Sequence, residues 1–358
     1  GRMAPLPGDG PPEGCRVLDA RGLVAAPGFW DIHVHLREPG GEEAETVASG
    51  SACAARGGFT TIVAMPNTRP AMDQPDLVRQ VVEEGRRVGL TRVWTTACIT
   101  LDRAGNEVAD LEGLAKAGVT AFTDDGCTVQ DDAVMEEAMA RIRALDGILM
   151  DHAQDKVIEA RGVMHEGEYS KRHGLPGIPS FAEERIIRRD IEAAERTGCR
   201  LHVQHVTSRE GMALLRDAVA RGAPVTWEVT PHHLALTDQD VRPDDANFKM
   251  NPPLRSTDDR RALTEAVIEE PGAVLATDHA PHAPAAKARG FLEGPFGVLG
   301  LETAMGITYD LLVKTGRLSF ADWIRRWTQN PARALGHPAP SLAEGAHADV
   351  VLIDTDTA

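Results

Sequence analysis

Eight apolar runs of strand length, each followed by a segment of helical character, limit this chain of 358 residues to very few folds. The runs cover 28–36, 60–65, 92–99, 119–125, 148–152, 200–207, 224–230 and 273–279, and amphipathic segments over 77–88, 133–145, 181–196, 211–220 and 258–268 lie between them. Strand then helix, repeated eight times, predicts an α/β fold of the (β/α)8 TIM-barrel type. In such a barrel, reactive groups gather at the C-terminal ends of the strands.

The polar residues at those run ends carry metal chemistry. His33 and His35 close the first run and share one strand face, because side chains at i and i+2 point the same way, so both can grip one ion. Arg37 continues that row and offers a flat, two-toothed grip for a carboxylate beside the metal. The fourth run ends in Asp124-Asp125-Gly126, the fifth in Asp151-His152, the sixth carries His205, and the eighth closes with Asp278-His279. Four histidines and two carboxylates converging at a barrel mouth suit a pair of borderline divalent ions such as zinc, sharing one carboxylate and one solvent hydroxide. Asp124 and Asp125 point to opposite sides of a regular strand, so only one of them faces the ions. His202, His232 and His233 read as satisfied or supporting polar groups. His165, His173, His337 and His347 sit in polar or Gly-rich segments and are expected at the surface.

A hydrophobic fraction of 42% with 26% charged residues is ordinary for a soluble globular enzyme. The net charge of -16 argues against general nucleic-acid binding or attachment to an anionic membrane, so an anionic substrate must be drawn in by local positive charge. No apolar stretch has the length of a membrane span and no secretion signal is evident, which predicts a cytoplasmic protein. Cys15, Cys53, Cys98, Cys127 and Cys199 are scattered and odd in number, which predicts buried free thiols.

Nine motifs follow one another in order: Asp31-Ile-His-Val-His-Leu-Arg-Glu-Pro-Gly40, Met65-Pro-Asn-Thr68, Thr123-Asp-Asp-Gly126, Asp151-His-Ala153, Gln204-His-Val-Thr207, Val229-Thr-Pro-His-His233, Lys249-Met-Asn-Pro-Pro-Leu254, Ala276-Thr-Asp-His-Ala-Pro-His282 and Pro295-Phe-Gly297. Together they make the chain resemble the dihydroorotases of the amidohydrolase superfamily, in the class I bacterial type whose two zincs are bridged by an aspartate. The resemblance implies two Zn2+ per subunit, one on His33, His35 and Asp278, the other on His152 and His205, with Asp125 on both. A related subgroup bridges its metals with a carboxylated lysine; the fourth run offers none there, and Lys116, ahead of it, reads as a solvated helix residue. The resemblance also assigns Arg37, Asn67 and His282 to a ring carboxylate, with His35 facing the substrate too, and Asn251 and the main chain at Phe296 and Gly297 to the ring edge. Read by themselves, Asn67 after Pro66 and Asn251 before Pro252 are equally turn formers.

The implied reaction is the reversible cyclisation of N-carbamoyl-L-aspartate to L-dihydroorotate and water in de novo pyrimidine biosynthesis. A bridging hydroxide is the nucleophile in the hydrolytic direction, and Asp278 is the general acid and base. Two other functions compete. A hydantoinase, dihydropyrimidinase or allantoinase would open a neutral ring and leave Arg37 without a partner; a non-catalytic partner of aspartate transcarbamoylase would have no need of the full ligand set. The family adds a small β-sandwich from both chain ends, here expected as a partial one over 1–26 and 340–358 around a barrel over 27–339, with a returning strand over 348–354. A homodimer and an association with aspartate transcarbamoylase follow from the resemblance alone. The segment 283–295, rich in Ala and Gly, reads equally as a lid and as a surface loop.

Overall fold

The computed structural model describes residues 1–5, 8 and 10–356, so the Pro- and Gly-rich stretch 5–14 and the end of the 340–358 segment fall partly outside the described residues. Eleven strands are present among the described residues: β1 (Val24–Pro27), β2 (Phe29–Val34), β3 (Phe59–Ala64), β4 (Arg92–Thr95), β5 (Ile148–Asp151), β6 (Met164–His165), β7 (Gly177–Ile178), β8 (Arg200–Val203), β9 (Val225–Val229), β10 (Val274–Leu275) and β11 (Val350–Ile353). Two parallel sheets, β2-β3-β4 and β5-β8-β9-β10, hold seven of the eight expected runs.

The fourth run, 119–125, forms no strand of its own. Phe122 instead makes single parallel bridges to Ala97 on one side and Leu149 on the other, and a further bridge between Val34 and His279 joins β2 to the chain just after β10. These three bridges link the two sheets into the ring of a barrel, in agreement with the expected fold.

Alternation along the strands sorts side chains into two layers. On β3, Ile62 and Ala64 enter the outer core against the helices, while Val63 and then Met65 join an inner cluster with Ile32, Ala121, Met150 and Val274. The helices carry their own start and stop signals. Asp131 accepts the N–H groups of Ala133 and Val134 to open the helix Asp132–Ala144. Gly198, at φ 69°, turns the chain left-handed to close the helix Phe181–Thr197, whose Ile186, Ile187, Ile191 and Ala194 are buried.

Outside the ring, β1 and β11 pair antiparallel with Val24 opposite Ile353. Two surface expectations and one of burial need correction. His337 is half-buried, its ring stacked on Trp94 at 4.3 Å. His165 is half-buried too, 3.4 Å from an Arg255 nitrogen. Among the cysteines Cys98 and Cys199 are buried, Cys53 and Cys127 partly so, and Cys15 is exposed; all five are free.

Candidate metal centre and active site

The first run ends earlier than its pattern implies. β2 stops at Val34 after a register irregularity, and Arg37 has φ 60°, so the row from His33 to Arg37 is not one strand face. His33 is the last histidine within the strand. His35 is held by its N–H to the carbonyl of His279 at 2.8 Å. Arg37 is turned by its left-handed backbone so that Nε donates to the carbonyl of Pro281 at 3.1 Å. His205 (φ 31°) and Asp278 (φ 47°) are also left-handed, which places three site residues in strained backbone.

Asp125 lies at the centre. Its Oδ1 is 3.4 Å from His33 Nε2, 3.8 Å from His152 Nδ1 and 4.0 Å from His205 Nε2, and its Oδ2 is 3.6 Å from His35 Nε2. Asp278 Oδ1 stands 3.0 Å from His35 Nε2 and 3.6 Å from His33 Nε2. His33, His35 and Asp278 form one trio able to hold an ion, and His33, Asp125 and His205 another, with ligand atoms within 4.8 Å of one another. His152 completes the cage, its Nδ1 2.8 Å from His205 Nε2. All six expected ligands are therefore in one cluster and all are buried.

Asp124 points away, so only one of the two aspartates faces the cage as expected, although the pair stands at a turn and not in a strand. It accepts the N–H groups of Ile99 at 2.8 Å and Thr100 at 3.1 Å together with the Thr100 hydroxyl.

The donor set fits cations. Asp125 Oδ1 is buried with no hydrogen-bond partner, a costly state for a carboxylate oxygen unless a positive charge faces it. Burial alone would raise the Asp125 carboxyl, but the imidazoles, His33 foremost, hold it well below the ordinary carboxylate range. Burial, reinforced by its imidazole neighbours His152 and His33, pushes His205 well below the usual histidine range, and burial lowers His152; both are therefore neutral and able to ligate.

Neighbours set the ring tautomers, a feature that metal-binding histidines require. His33 Nδ1 donates to Glu228 Oε1 at 2.5 Å, His35 Nδ1 to Asn67 Oδ1 at 2.8 Å, and His152 Nε2 to Gln154 Oε1 at 2.9 Å. The other nitrogen of each ring turns into the cage, His33 Nε2 toward Asp125, His35 Nε2 toward Asp278 and His152 Nδ1 toward His205. Glu228, Gln154 and Asp31 brace the cage, and the motif reading gave none of the three a role. Asp31 is fully buried and accepts the N–H of His33 at 3.2 Å and of Thr277 at 3.1 Å, tying β2 to the turn that carries Asp278. A lone carboxylate in an apolar run was the available signal for both Asp31 and Glu228.

A cavity of about 190 Å³ opens on the cage, lined by His35, Asp125, His152, His205 and Asp278 together with Arg37, Asn67, Asn251, His282, Phe296 and Gly297. Every residue expected to touch substrate is thus in its wall. Several are already engaged by protein groups: His282 Nε2 donates to the Phe296 carbonyl at 2.6 Å, and the Gly297 N–H donates to the Lys249 carbonyl at 2.9 Å. Gly297 has φ 142°, and a Cβ there would lie 2.4 Å from the Ala280 carbonyl oxygen, so only glycine fits. Burial, with Arg37 beside it, lowers His282 to about 4 and keeps it neutral. Asn251 Oδ1 is buried without a partner at the wall of the cavity. His233 donates from Nε2 to the Pro252 carbonyl at 3.0 Å, which anchors the loop that presents Asn251. His202 is buried on Glu228, and both His202 and His233 match their expected supporting places.

Comparison with known proteins agrees with this geometry. A dihydro-orotase-like family model matches residues 22–211. A dihydroorotase of Geobacillus sp. (strain WCH70) is 46% identical over 345 residues, covering 96% of this chain and 81% of that protein. A dihydroorotase of Bacillus subtilis (strain 168) is 44% identical over 340 residues, covering 95% and 79%. Among solved structures, an L-hydantoinase (dihydropyrimidinase) from Arthrobacter aurescens superposes with a TM-score of 0.82 at 24% identity, covering 93% of this chain and 77% of that one. That likeness shows the shared barrel. With the family model, the relatives and the barrel in agreement, the chain belongs to the dihydroorotase family.

Proposed function

We propose that this chain is a zinc-dependent dihydroorotase that interconverts N-carbamoyl-L-aspartate and L-dihydroorotate in cytoplasmic pyrimidine biosynthesis. The observation that carries the reading is a cavity with an imidazole and carboxylate cage on one wall and the half-buried guanidinium of Arg37 on another. Two divalent cations, one at His33, His35 and Asp278, the other at His152 and His205, with Asp125 serving both, supply when bound an acidified water and a Lewis acid for the amide carbonyl.

The chain's own groups do the rest. Arg37 presents a planar fork to the ring carboxylate and so fixes which carbonyl meets the cage. Asn251 Oδ1, buried and unpartnered, accepts a ring N–H, and Asn67 holds His35 in register while bordering the carboxylate pocket. In the hydrolytic direction Asp278 takes the proton of the attacking water and returns it to the ring nitrogen as the C–N bond breaks. In the synthetic direction the same carboxylate withdraws that proton from the carbamoyl nitrogen. We also read β1 and β11 as part of the small sandwich drawn from 1–26 and 340–358, since the pair stands outside the barrel ring and leaves Val24 and Leu352 39% exposed.

Zinc analysis combined with turnover of dihydroorotate and of hydantoin tests the reading. Two zincs per chain and activity on dihydroorotate alone are expected. Equal turnover of hydantoin would move the chain to the neutral-ring enzymes, and zinc-loaded protein inert to both would sink the catalytic reading.

A further inference from the structure

The floor of the cage is built on one carboxylate. Glu228 is fully buried on β9, and alternation puts Thr226 on the same face, directly opposite His202 of β8. Thr226 Oγ1 is 2.8 Å from His202 Nδ1, His202 Nε2 is 3.1 Å from Glu228 Oε2, and Glu228 Oε1 is 2.5 Å from His33 Nδ1. With both rings neutral, as a metal on His33 would require of that ring, each carries one N–H and one arrangement runs along this chain of contacts. The Thr226 hydroxyl donates to His202, His202 donates to Glu228, and His33 donates to Glu228, which leaves the lone pair of His33 Nε2 facing Asp125 and Asp278. The same Oε1 accepts the main-chain N–H of His205 at 3.3 Å, at a residue whose left-handed backbone needs such an anchor.

We propose that Glu228, aimed by His202 and Thr226, is the positioning residue that presents both His33 and His205 to the metals, so that one carboxylate governs the two halves of the cage. The proposal rests on the metal-binding reading above and adds to it a group that touches neither metal nor substrate. A carboxylate on Nδ1 raises the basicity of Nε2 as well as orienting the ring; an amide keeps the shape and loses the charge. The buried anion also needs a counter-charge, and a cation on the far side of the His33 ring provides it.

The experiment compares metal-stripped wild-type protein with Glu228→Gln, Glu228→Asp and Thr226→Val. Zinc is titrated against a chromogenic chelator, cobalt(II) spectra report ligand geometry, and circular dichroism reports folding. Wild type should bind two ions. Glu228→Gln should bind at least one of them about 10- to 100-fold more weakly, with displaced cobalt bands, and Glu228→Asp should recover part of the loss. Glu228→Gln binding both ions within about twofold of wild type, with an unchanged cobalt spectrum, overturns the proposal while leaving the cage intact. If Glu228→Gln does not fold, Thr226→Val carries the test, because it leaves the carboxylate and frees only His202: weakening of about threefold or more supports the role, and unchanged affinity overturns it. Wild-type protein that binds no zinc sinks the cage reading itself, and the proposal with it, whatever stands at 228.

Discussion

Two adjacent aspartates with opposite fates show how the site works at the scale of a residue. Asp124 spends its oxygens on the Ile99 and Thr100 N–H groups, while Asp125 keeps an unpartnered oxygen among four imidazoles. Asp278 shares that centre, lines the same cavity and is the proton carrier of the proposed reaction. Asp278→Asn should therefore cut turnover by about 10²- to 10⁴-fold in protein that still holds zinc. Near-normal turnover with normal zinc content would remove Asp278 from the proton path. Arg37 is a second residue with a separable role. Its backbone and Nε are spent on position, leaving the outer nitrogens beside His282 at the cavity wall. Arg37→Lys keeps the charge but loses the planar fork, so KM for dihydroorotate should rise tenfold or more, about 1.4 kcal/mol, with kcat changed less. An unchanged KM in steady-state assays would mean that the carboxylate binds elsewhere.

At the scale of an element, the segment after β10 is tied down by lysines. Its two short helices, Pro284–Lys287 and Gly290–Glu293, pack with Phe291 buried. Lys287 Nζ donates to the carbonyls of Ala246 at 2.8 Å, Lys249 at 3.2 Å and Pro295 at 3.0 Å, and Lys249 Nζ donates to Leu292 at 3.0 Å. This latch holds Phe296 and Gly297 against the cavity. Lys287→Met removes three donors while keeping the apolar stem, so the segment should lose about 1–3 kcal/mol of local stability. Hydrogen exchange across 284–297 should quicken and KM should rise. Exchange as slow as in wild type would show that packing of Phe291 alone secures the segment.

For the whole molecule, metal and pH are the levers. Cations that bind only the folded cage stabilise it by mass action, about 2.7 kcal/mol at a free concentration 100 times the dissociation constant. Zinc added to stripped protein should raise the melting temperature by several degrees, and Asp125→Ala should abolish the rise. An equal rise in both proteins would place the binding elsewhere. Burial lowers His165, His233 and His282 to about 4, below the ordinary histidine value. The unfolded chain takes up those protons near pH 6.5 and the folded chain only near 4, so their contribution is present above 6.5 and is lost as pH falls toward 4. Asp31 and Asp124, raised by burial to about 7 and about 6, work in the opposite sense, so a comparison between variants isolates the histidine effect. Between pH 7 and 4.5 wild type should lose more stability than His233→Gln in urea unfolding; parallel curves would show that folded His233 takes up its proton at the ordinary histidine pH.

The sequence by itself determined the barrel and the gathering of ligands. Both rest on local periodicity: runs of strand length, amphipathic segments between them, and polar residues placed at run ends. Motif order added Asn67 and Asn251, which read by themselves are equally turn formers, and His282. What only the tertiary structure decided depends on contacts between segments far apart in the chain. Which aspartate faces the cage depends on N–H groups 24 and 25 residues away. The fourth run shrank to single bridges at Phe122 toward Ala97 and Leu149, and Arg37 left the strand row for a left-handed turn in which its guanidinium meets the Pro281 carbonyl. Glu228 meets His33 across 195 residues, a pairing that no spacing in the chain encodes and that closure of the barrel creates.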